Sequence, residues 1–409
     1  MSLRSYRIFK KIKMKTNKLK LGMLSFYHPH LGGSGIVASR LMEAMARDGH
    51  EIHVIGYDGD SNPERMERLG IKLHNVGRID YPCFKSEPFT WTLASKAINV
   101  DRIFNLDLLH AHYAIPHAAS AFLTREQRAS EGKHLPYIVT CHGSDIHTNG
   151  AKDDINPVLN LVLKRADAIT YVSEDLRRFS NQVTDTGSNG NVVKNFVDTG
   201  DFFRLGEDTK SSFGIAQDSF VIGHASNFAP IKNVETFADL AKRMREADKL
   251  TGVSFLMCGD GADRYKLEAR TRNDGTFPHF VFTGRLDQEQ MRAAYSAMDL
   301  FCLTSKREGS PLTVLEAMAC GLPIVASRYS SNLEFKNRAG FSFDFEDSES
   351  FEVFVDRLRG NVNLRKEMGS NALKIVESKF SLRKAVENYY KVYECVLRNK
   401  LKKKSDWKS

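Results

Sequence analysis

No run of about 18 apolar residues occurs anywhere in this chain of 409, which excludes a helix that crosses a membrane. Its six cysteines (Cys83, Cys141, Cys258, Cys302, Cys320, Cys395) form no CxxC pair and no Cys/His metal spacing. Thiols so far apart read as small buried hydrophobes in a reducing cytoplasm. Zinc, helix-turn-helix and RNA-platform patterns are missing too, so nucleic acid is not expected as a partner. The first 20 residues hold eight Lys/Arg but no uninterrupted apolar stretch, which argues against a secretory signal. Met14 opens MKTNKLKLGMLSF, which reads as a native start and leaves residues 1–13 dispensable. What the chain does have is an ordinary globular composition, 42% hydrophobic and 27% charged, at a length that predicts two domains. Its net charge of +9 gathers at the two ends, in the first 20 residues and in the tail NKLKKKSDWKS. Basic ends are either solvated and frayed or attached to anionic lipid at ~1 kcal/mol per basic residue. The first reading is preferred, because no Trp/Leu-rich amphipathic face accompanies the charge.

Short apolar strands alternate with amphipathic helices throughout, the pattern of parallel sheets covered on both faces. Segments 19–26, 50–57, 106–112, 136–142 and 167–173 read as strands of a first sheet, with helices at roughly 35–48, 116–126 and 156–166. A second series runs through 219–226, 252–261, 279–285, 299–305 and 322–327. The polar, turn-rich stretch 197–215 marks the boundary, and a last long helix, roughly 382–400, has no strand after it. The expected fold is α/β, two tandem Rossmann-like doubly wound domains. They are expected to face each other across a cleft at the carboxyl ends of both sheets, where open α/β folds bind ligands.

Residues 306–327 (KREGSPLTVLEAMACGLPIVAS) carry the sharpest chemical signal. A polar loop leads into a short apolar helix that stops at Gly321 and continues into a buried strand. Pro311 suits a first helical turn, where no N–H is needed, and Gly321 suits a helix end that requires positive φ. Glu308 then lies in the loop and Glu316 about two turns into the helix. The free N–H groups of that helix start form a site for a diphosphate. A carboxylate on each side could hold sugar hydroxyls, since ionised carboxylates only accept hydrogen bonds.

Gly32, Gly33, Ser34 and Gly35 form a turn between a strand and a helix, where backbone can approach a phosphate closely. The same turn reads Gly33-x-Gly35-x-x-Ala38, with Asp58 ending the second strand, so a nicotinamide-dependent oxidoreductase is an alternative. HAHYAIPHA (110–118) puts His110, His112, Tyr113 and His117 at a strand end. Two histidines at i, i+2 share a face but lack a third ligand at usable spacing, so substrate lining is favoured over metal. TCHGSDIH (140–147) offers Thr140, His142, Ser144 and Asp145, with Asp145 spaced to hold the His142 ring in one tautomer. No G-x-S-x-G elbow occurs, which disfavours a hydrolase. Lys232 starts a helix and could neutralise a diphosphate, while Gly259, Asp260, Gly261 and Arg285 end further strands. Asp58-Gly59-Asp60 reads as a surface turn rather than a metal motif. Neither a metal nor a cofactor is expected.

These segments together (GGSGIVASRL with GHEIHVI, TLASKA, DLLHAHYAIPHA, TCHGSDI, NFVD, SNF with Lys232, GDG, and the E-x7-E pair with LEAMACGLP) resemble glycosyltransferase family 4. Within it they resemble the N-acetyl-α-D-glucosaminyl L-malate synthases of bacillithiol biosynthesis, over residues 20 to about 328. The resemblance implies a retaining GT-B enzyme that moves a hexose or N-acetylhexosamine from a UDP-sugar to a small, malate-like hydroxy acid. It implies Glu308 on donor-sugar hydroxyls, Glu316 on the ribose, Gly32, Gly33 and Lys232 on the diphosphate, and His142 against the sugar ring. Asn227, Gly259, Arg285, Gly309, Ser310 and Leu312 fall with the donor site, and Ser34, Tyr113 and Thr140 with the acceptor pocket. The implied division is a basic extension (1–19), an acceptor-side domain (20–197), a nucleotide-sugar domain (198–380), a helix returning to the first domain (381–400) and a basic tail (401–409). The chain departs from that branch by SNFAPIK in place of SNFRKVK, which puts Ala229 where a basic residue stands, and by SRYSSNLEF in place of a GG-containing loop. The acceptor therefore stays open between a hydroxy acid and a lipid-linked or surface glycan reached through the basic ends. A non-catalytic sugar-nucleotide-binding protein and a homodimer are further alternatives. The expected location is the cytoplasm, peripheral to the inner membrane face if the basic ends attach there.

Overall fold

The computed structural model describes residues 18–25, 32–57, 63–77, 79, 88–150, 152–186, 190–206, 208–329 and 333–406. The chain divides into two compact units, Met1–Asn195 with Leu382–Ser409, and Phe196–Ser381. The first is built on seven parallel strands: β1 Lys20–Leu24, β2 Glu51–Gly56, β3 Lys72–Asn75, β4 Leu108–His112, β5 Tyr137–Cys141, β6 Ala168–Tyr171 and β7 Gly190–Val192. Their order is β3-β2-β1-β4-β5-β6-β7, so the order in which strands are added reverses between β1 and β4. β4 and β5 are buried from end to end, as central strands covered on both faces must be. β3 and β7 were not expected. Both are short edge strands with polar sequences, KLHN and GNV, that give no apolar run.

Helices cover this sheet. Gly33–Arg47, Ala119–Ser130 and Asn156–Lys164 match expected ones, while Phe89–Phe104 and Glu174–Val183 were not foreseen. The last is mostly polar, yet its start was encoded: the Ser173 hydroxyl accepts from the Leu176 N–H, and Glu174 and Asp175 fill the first turn. The Leu382–Asp406 helix belongs to this unit. It buries Leu382, Val386, Tyr389, Tyr393 and Val396, a stripe at helical spacing. Tyr390 donates to Asp48 Oδ2 at 2.8 Å, just past the Gly33–Arg47 helix.

The second unit has six parallel strands: β8 Phe220–Ala225, β9 Val253–Cys258, β10 Phe280–Gly284, β11 Leu300–Leu303, β12 Ile324–Ser327 and β13 Gly340–Phe343. Their order, β10-β9-β8-β11-β12-β13, repeats that of the first sheet and reverses between β8 and β11. Alternate residues of β8 feed two separate cores: Phe220 and Ile222 pack with Phe237 and Phe255, Val221 and Ala225 with Tyr295 and Phe301. Two tandem doubly wound α/β units are thus the fold, as expected. β13 (GFSF) was missed because its two apolar residues, Phe341 and Phe343, are separated by Ser342 and form no run. No helix among the described residues is long and apolar enough to cross a membrane. Cys141, Cys258, Cys302 and Cys320 are buried thiols and Cys395 is exposed; Cys83 lies outside the described residues.

Candidate functional site

In the second unit, candidate residues gather where β8, β9 and β11 end. After β8 the chain makes a tight turn, Pro230–Lys232, whose Ile231 carbonyl accepts from the Lys306 N–H (2.8 Å) and whose Lys232 carbonyl accepts from Thr304 Oγ1 (2.9 Å). This stitching fixes the Lys232 side chain. Its Nζ reaches Glu308 Oε1 at 2.6 Å, in a pair whose side chains are 19% and 11% exposed. An ammonium has three donors, so Lys232 can hold Glu308 and still serve a phosphate oxygen. The Glu308 N–H donates to the Tyr329 carbonyl at 3.3 Å.

The Leu312–Ala319 helix follows, and Gly321 takes the expected positive φ, 71°. Two details are corrected. Pro311 is extended (φ −69°, ψ 116°) and precedes the helix rather than filling its first turn. Glu316 is the fifth helical residue, one turn inside rather than two. Its Oε2 accepts from the Tyr295 hydroxyl at 2.8 Å. Tyr295 is fully buried, and burial followed by the neighbouring Glu316 charge pushes its phenol well up, so it keeps the proton that it donates to Glu316. Ser310 is buried, Gly309 and Leu312 are half-buried, and Asn227 and Arg285 are exposed.

Gly259 (φ 117°) and Gly261 (φ 156°) let the turn after β9 cross the turn after β8 in contact. A Cβ on either would overlap a carbonyl oxygen, of Ser226 or Asn227 respectively. The Gly259 N–H donates to Gly284 O (2.8 Å), which brings Arg285 beside this crossing. Beneath it lies a histidine that sequence reasoning passed over. His224 donates from Nδ1 to the Cys302 carbonyl (3.0 Å) and faces Ser226 Oγ with Nε2 (2.8 Å), and Ser226 Oγ accepts from the Phe228 N–H (3.1 Å). Burial takes its pKa down to about 4.

In the first unit, candidates sit beside the β1/β4 reversal. Gly32 (φ 98°) leads into the Gly33–Arg47 helix, with Gly33 exposed and Ser34 half-buried. Asp58, Gly59 and Asp60 lie outside the described residues. Tyr113, past the end of β4, has a positive φ of 76°, held by its N–H donating to Thr140 O (2.9 Å). Its hydroxyl lies 2.7 Å from Ser144 Oγ.

Asp145 does something other than expected. Its buried carboxylate accepts from the backbone N–H groups of Ala114 (2.9 Å), His142 (3.1 Å) and Gly143 (2.8 Å), not from the His142 ring. It therefore staples the turn after β4 to the turn after β5. Burial pushes this carboxyl up, and the three N–H groups pull it back. The ring partner of His142 is His112, with Nδ1 of His112 3.2 Å from Nε2 of His142. Thr140 also departs from its expected place on an acceptor wall. It is fully buried, its hydroxyl 2.7 Å from His110 Nε2, 2.6 Å from Thr170 Oγ1 and 3.3 Å from Tyr389 OH. It supports the site from beneath. His110 Nδ1 in turn meets Tyr393 OH at 2.7 Å. Burial, then neighbouring histidines, lowers His110 and His142 to about 3; burial takes His117 to about 4. All are neutral at pH 7. No group of three His, Cys, Asp or Glu fit for a metal occurs among the described residues.

The chain is similar to known proteins in sequence and in fold. Residues 31–201 match a family described as "Glycosyltransferase Family 4", and residues 207–375 one described as "Glycosyl transferases group 1". N-acetyl-alpha-D-glucosaminyl L-malate synthase of Bacillus anthracis is 30% identical over 388 residues, 93% of this chain and 98% of that one. Among solved structures, HepE of Anabaena in complex with UDP and glucose superposes with a TM-score of 0.74 at 18% identity, covering 92% of this chain and 99% of that one. Sucrose-phosphate synthase of Thermosynechococcus elongatus gives 0.76 at 17%, covering 93% and 100%.

Proposed function

Because the chain belongs to glycosyltransferase family 4 and is a glycosyltransferase that uses a nucleotide-sugar donor, we propose that it moves a hexose or N-acetylhexosamine from a UDP-sugar to a small, malate-like hydroxy acid with retention. The observation that carries this reading is the Lys232–Glu308 pair, 2.6 Å apart in the loop that leads to the Leu312–Ala319 helix. One ammonium there can bridge a carboxylate and a phosphate, beside a helix start whose N–H groups favour anions. Glu308 then accepts from sugar hydroxyls, and Glu316, steadied by Tyr295, accepts from the ribose.

A nucleoside diphosphate leaves readily, so the protein's work is positioning and charge stabilisation. The bond from the anomeric carbon to the β-phosphate oxygen breaks while the acceptor oxygen bonds to that carbon on the same face. The departing phosphate oxygen takes the acceptor's proton. Lys232 and the helix start stabilise its growing charge, and His142 lies against the sugar. A second reading keeps this chemistry and takes a lipid-linked or surface glycan as acceptor; the eight Lys/Arg among the first 20 residues favour it.

One assay tests both. The protein is incubated with a panel of UDP-sugars against malate, related hydroxy acids and lipid-linked acceptors in anionic vesicles, and products are weighed by mass spectrometry. A glycosylated hydroxy acid is expected. Lys232→Ala is expected to lower kcat/KM by about 10²–10³. Full activity in Lys232→Ala or Glu308→Ala would overturn the site; a glycolipid product would overturn the acceptor alone.

A further inference from the structure

Two nitrogens of a buried ring decide where a proton sits in the first unit. His112, at the carboxyl end of β4, is 1% exposed. Its Nδ1 faces Nε2 of His142 at 3.2 Å, while its own Nε2 is buried with no hydrogen-bond partner among the described residues. A neutral imidazole has one N–H and one lone pair, so the two facing nitrogens share one proton in one of two ways. If His142 gave the proton from Nε2, His112 would accept at Nδ1 and bury its own N–H against nothing. If His112 gives the proton from Nδ1, what is left unpaired at its Nε2 is a lone pair. A buried donor without a partner is the rarer defect and forfeits a full hydrogen bond. The second arrangement is therefore favoured. Both rings are neutral for the reason already given, burial among other histidines, so a charged ring does not offer a third arrangement near pH 7.

We infer that His112 is a positioning residue: it donates from Nδ1 to Nε2 of His142 and so holds His142 as its Nδ1–H tautomer. His142 is half-buried, and its Nδ1 makes no hydrogen bond among the described residues. The nitrogen left for a ligand is then a donor, suited to a hydroxyl or ring oxygen of the transferred sugar. It also has a mechanistic consequence. A nitrogen that already carries a proton cannot take one from the acceptor hydroxyl, and the other nitrogen is occupied by His112. His142 is thus not the base, and the proton goes to the leaving phosphate oxygen. The tautomer stands on the geometry of this unit alone; its use toward the sugar rests on the donor reading above.

The test is spectroscopic. Protein labelled with ¹⁵N-histidine is examined by two-bond ¹H–¹⁵N correlation at pH 7, with the His142 signals assigned by their loss in His142→Asn. A protonated Nδ1 and an unprotonated Nε2 are expected for His142. His112→Asn, whose amide N–H can stand where Nδ1–H stood, is expected to keep that pattern; His112→Phe is expected to average the two nitrogens and to raise the UDP-sugar KM about tenfold. A proton on Nε2 of His142 in the unmodified protein, or an unchanged pattern in His112→Phe, would overturn the inference. If His112→Phe does not fold, the unmodified spectrum decides alone. If Glu308→Ala binds UDP-sugar with full affinity, the donor reading falls while the spectrum still reports the tautomer.

Discussion

Tyr295 gives its one proton to Glu316, and everything around it is arranged to keep that bond. Phe202 and Phe301 lie edge-on to its ring at 6.0 and 5.8 Å, so the phenol cannot swing away. A hydrogen bond to a carboxylate is worth about 1.5–3 kcal/mol. Tyr295→Phe keeps the ring and the packing and removes only the proton. It is expected to leave the melting temperature within a few degrees and to raise the UDP-sugar KM by about tenfold or more. An unchanged KM would show that Glu316 needs no such support. At this scale the sequence spoke unevenly. Glu308 and Glu316 were legible because eight positions separate them across one loop and helix. Their pairings were not: Lys232, itself named as a phosphate ligand, lies 76 residues from Glu308, Tyr295 lies 21 from Glu316, and only tertiary folding brings such pairs together. Thr140 was placed on the acceptor pocket by the resemblance, and Asp145 was expected to hold the His142 ring, because both stand at the end of a strand or just past it. Which way a strand-end side chain turns depends on what fills the interior, here His110, Thr170 and Tyr389 for one and three backbone N–H groups for the other.

Among elements, the Leu382–Asp406 helix supplies the first unit's interior from the far end of the chain. Its Tyr393 and Tyr389 hydroxyls close a polar cluster under β4 and β5 through His110 and Thr140. Removing one partner from a buried hydrogen bond leaves the other without compensation. Tyr393→Phe, which strands Nδ1 of His110, is expected to lower stability by about 1–3 kcal/mol, read as a lower urea midpoint at unchanged slope. Stability equal to that of the unmodified protein would mean that water replaces the phenol. The helix was expected from its periodicity, as were the ten strands whose sequences are apolar runs bounded by turns. The three missed strands, β3, β7 and β13, are short and lie toward or at sheet edges, where few apolar residues are needed. The Phe89–Phe104 helix was missed although its start is no less marked than those of expected helices, which also lack a side-chain cap.

For the whole molecule, the repeated strand order explains why candidate residues collect where they do. In each sheet the reversal, β1/β4 or β8/β11, leaves a crevice at the carboxyl ends; His112 ends a strand that borders one, and Gly32, Lys232 and Glu308 follow such strands. That much is readable from alternating apolar segments alone. The distribution of histidines is not, and it makes the two units respond differently to acid. His110 and His142 (about 3) and His117 (about 4) lie in the first unit; His224 (about 4) is the second unit's one lowered histidine among the described residues. The unfolded rings take up protons near pH 6.5 and the folded ones do not, so stability present above pH 6.5 declines as pH falls toward 4. Each such ring contributes about 1.4 kcal/mol per pH unit in that window. Hydrogen exchange at pH 5 is expected to show the first unit opening more readily than the second, relative to pH 7. Equal loss of protection in both would contradict the assignment.

The first unit is written in two pieces, with the whole of the second between them. At a ribosomal pace of about 5–20 residues per second, the terminal tyrosines emerge some 10–40 s after Asn195. Until then His110 and Thr140 have no phenol to meet, and the half-made sheet carries an uncovered polar seam. The inserted unit can close on its own while its host waits, so the order of completion is the reverse of the order in which the two begin.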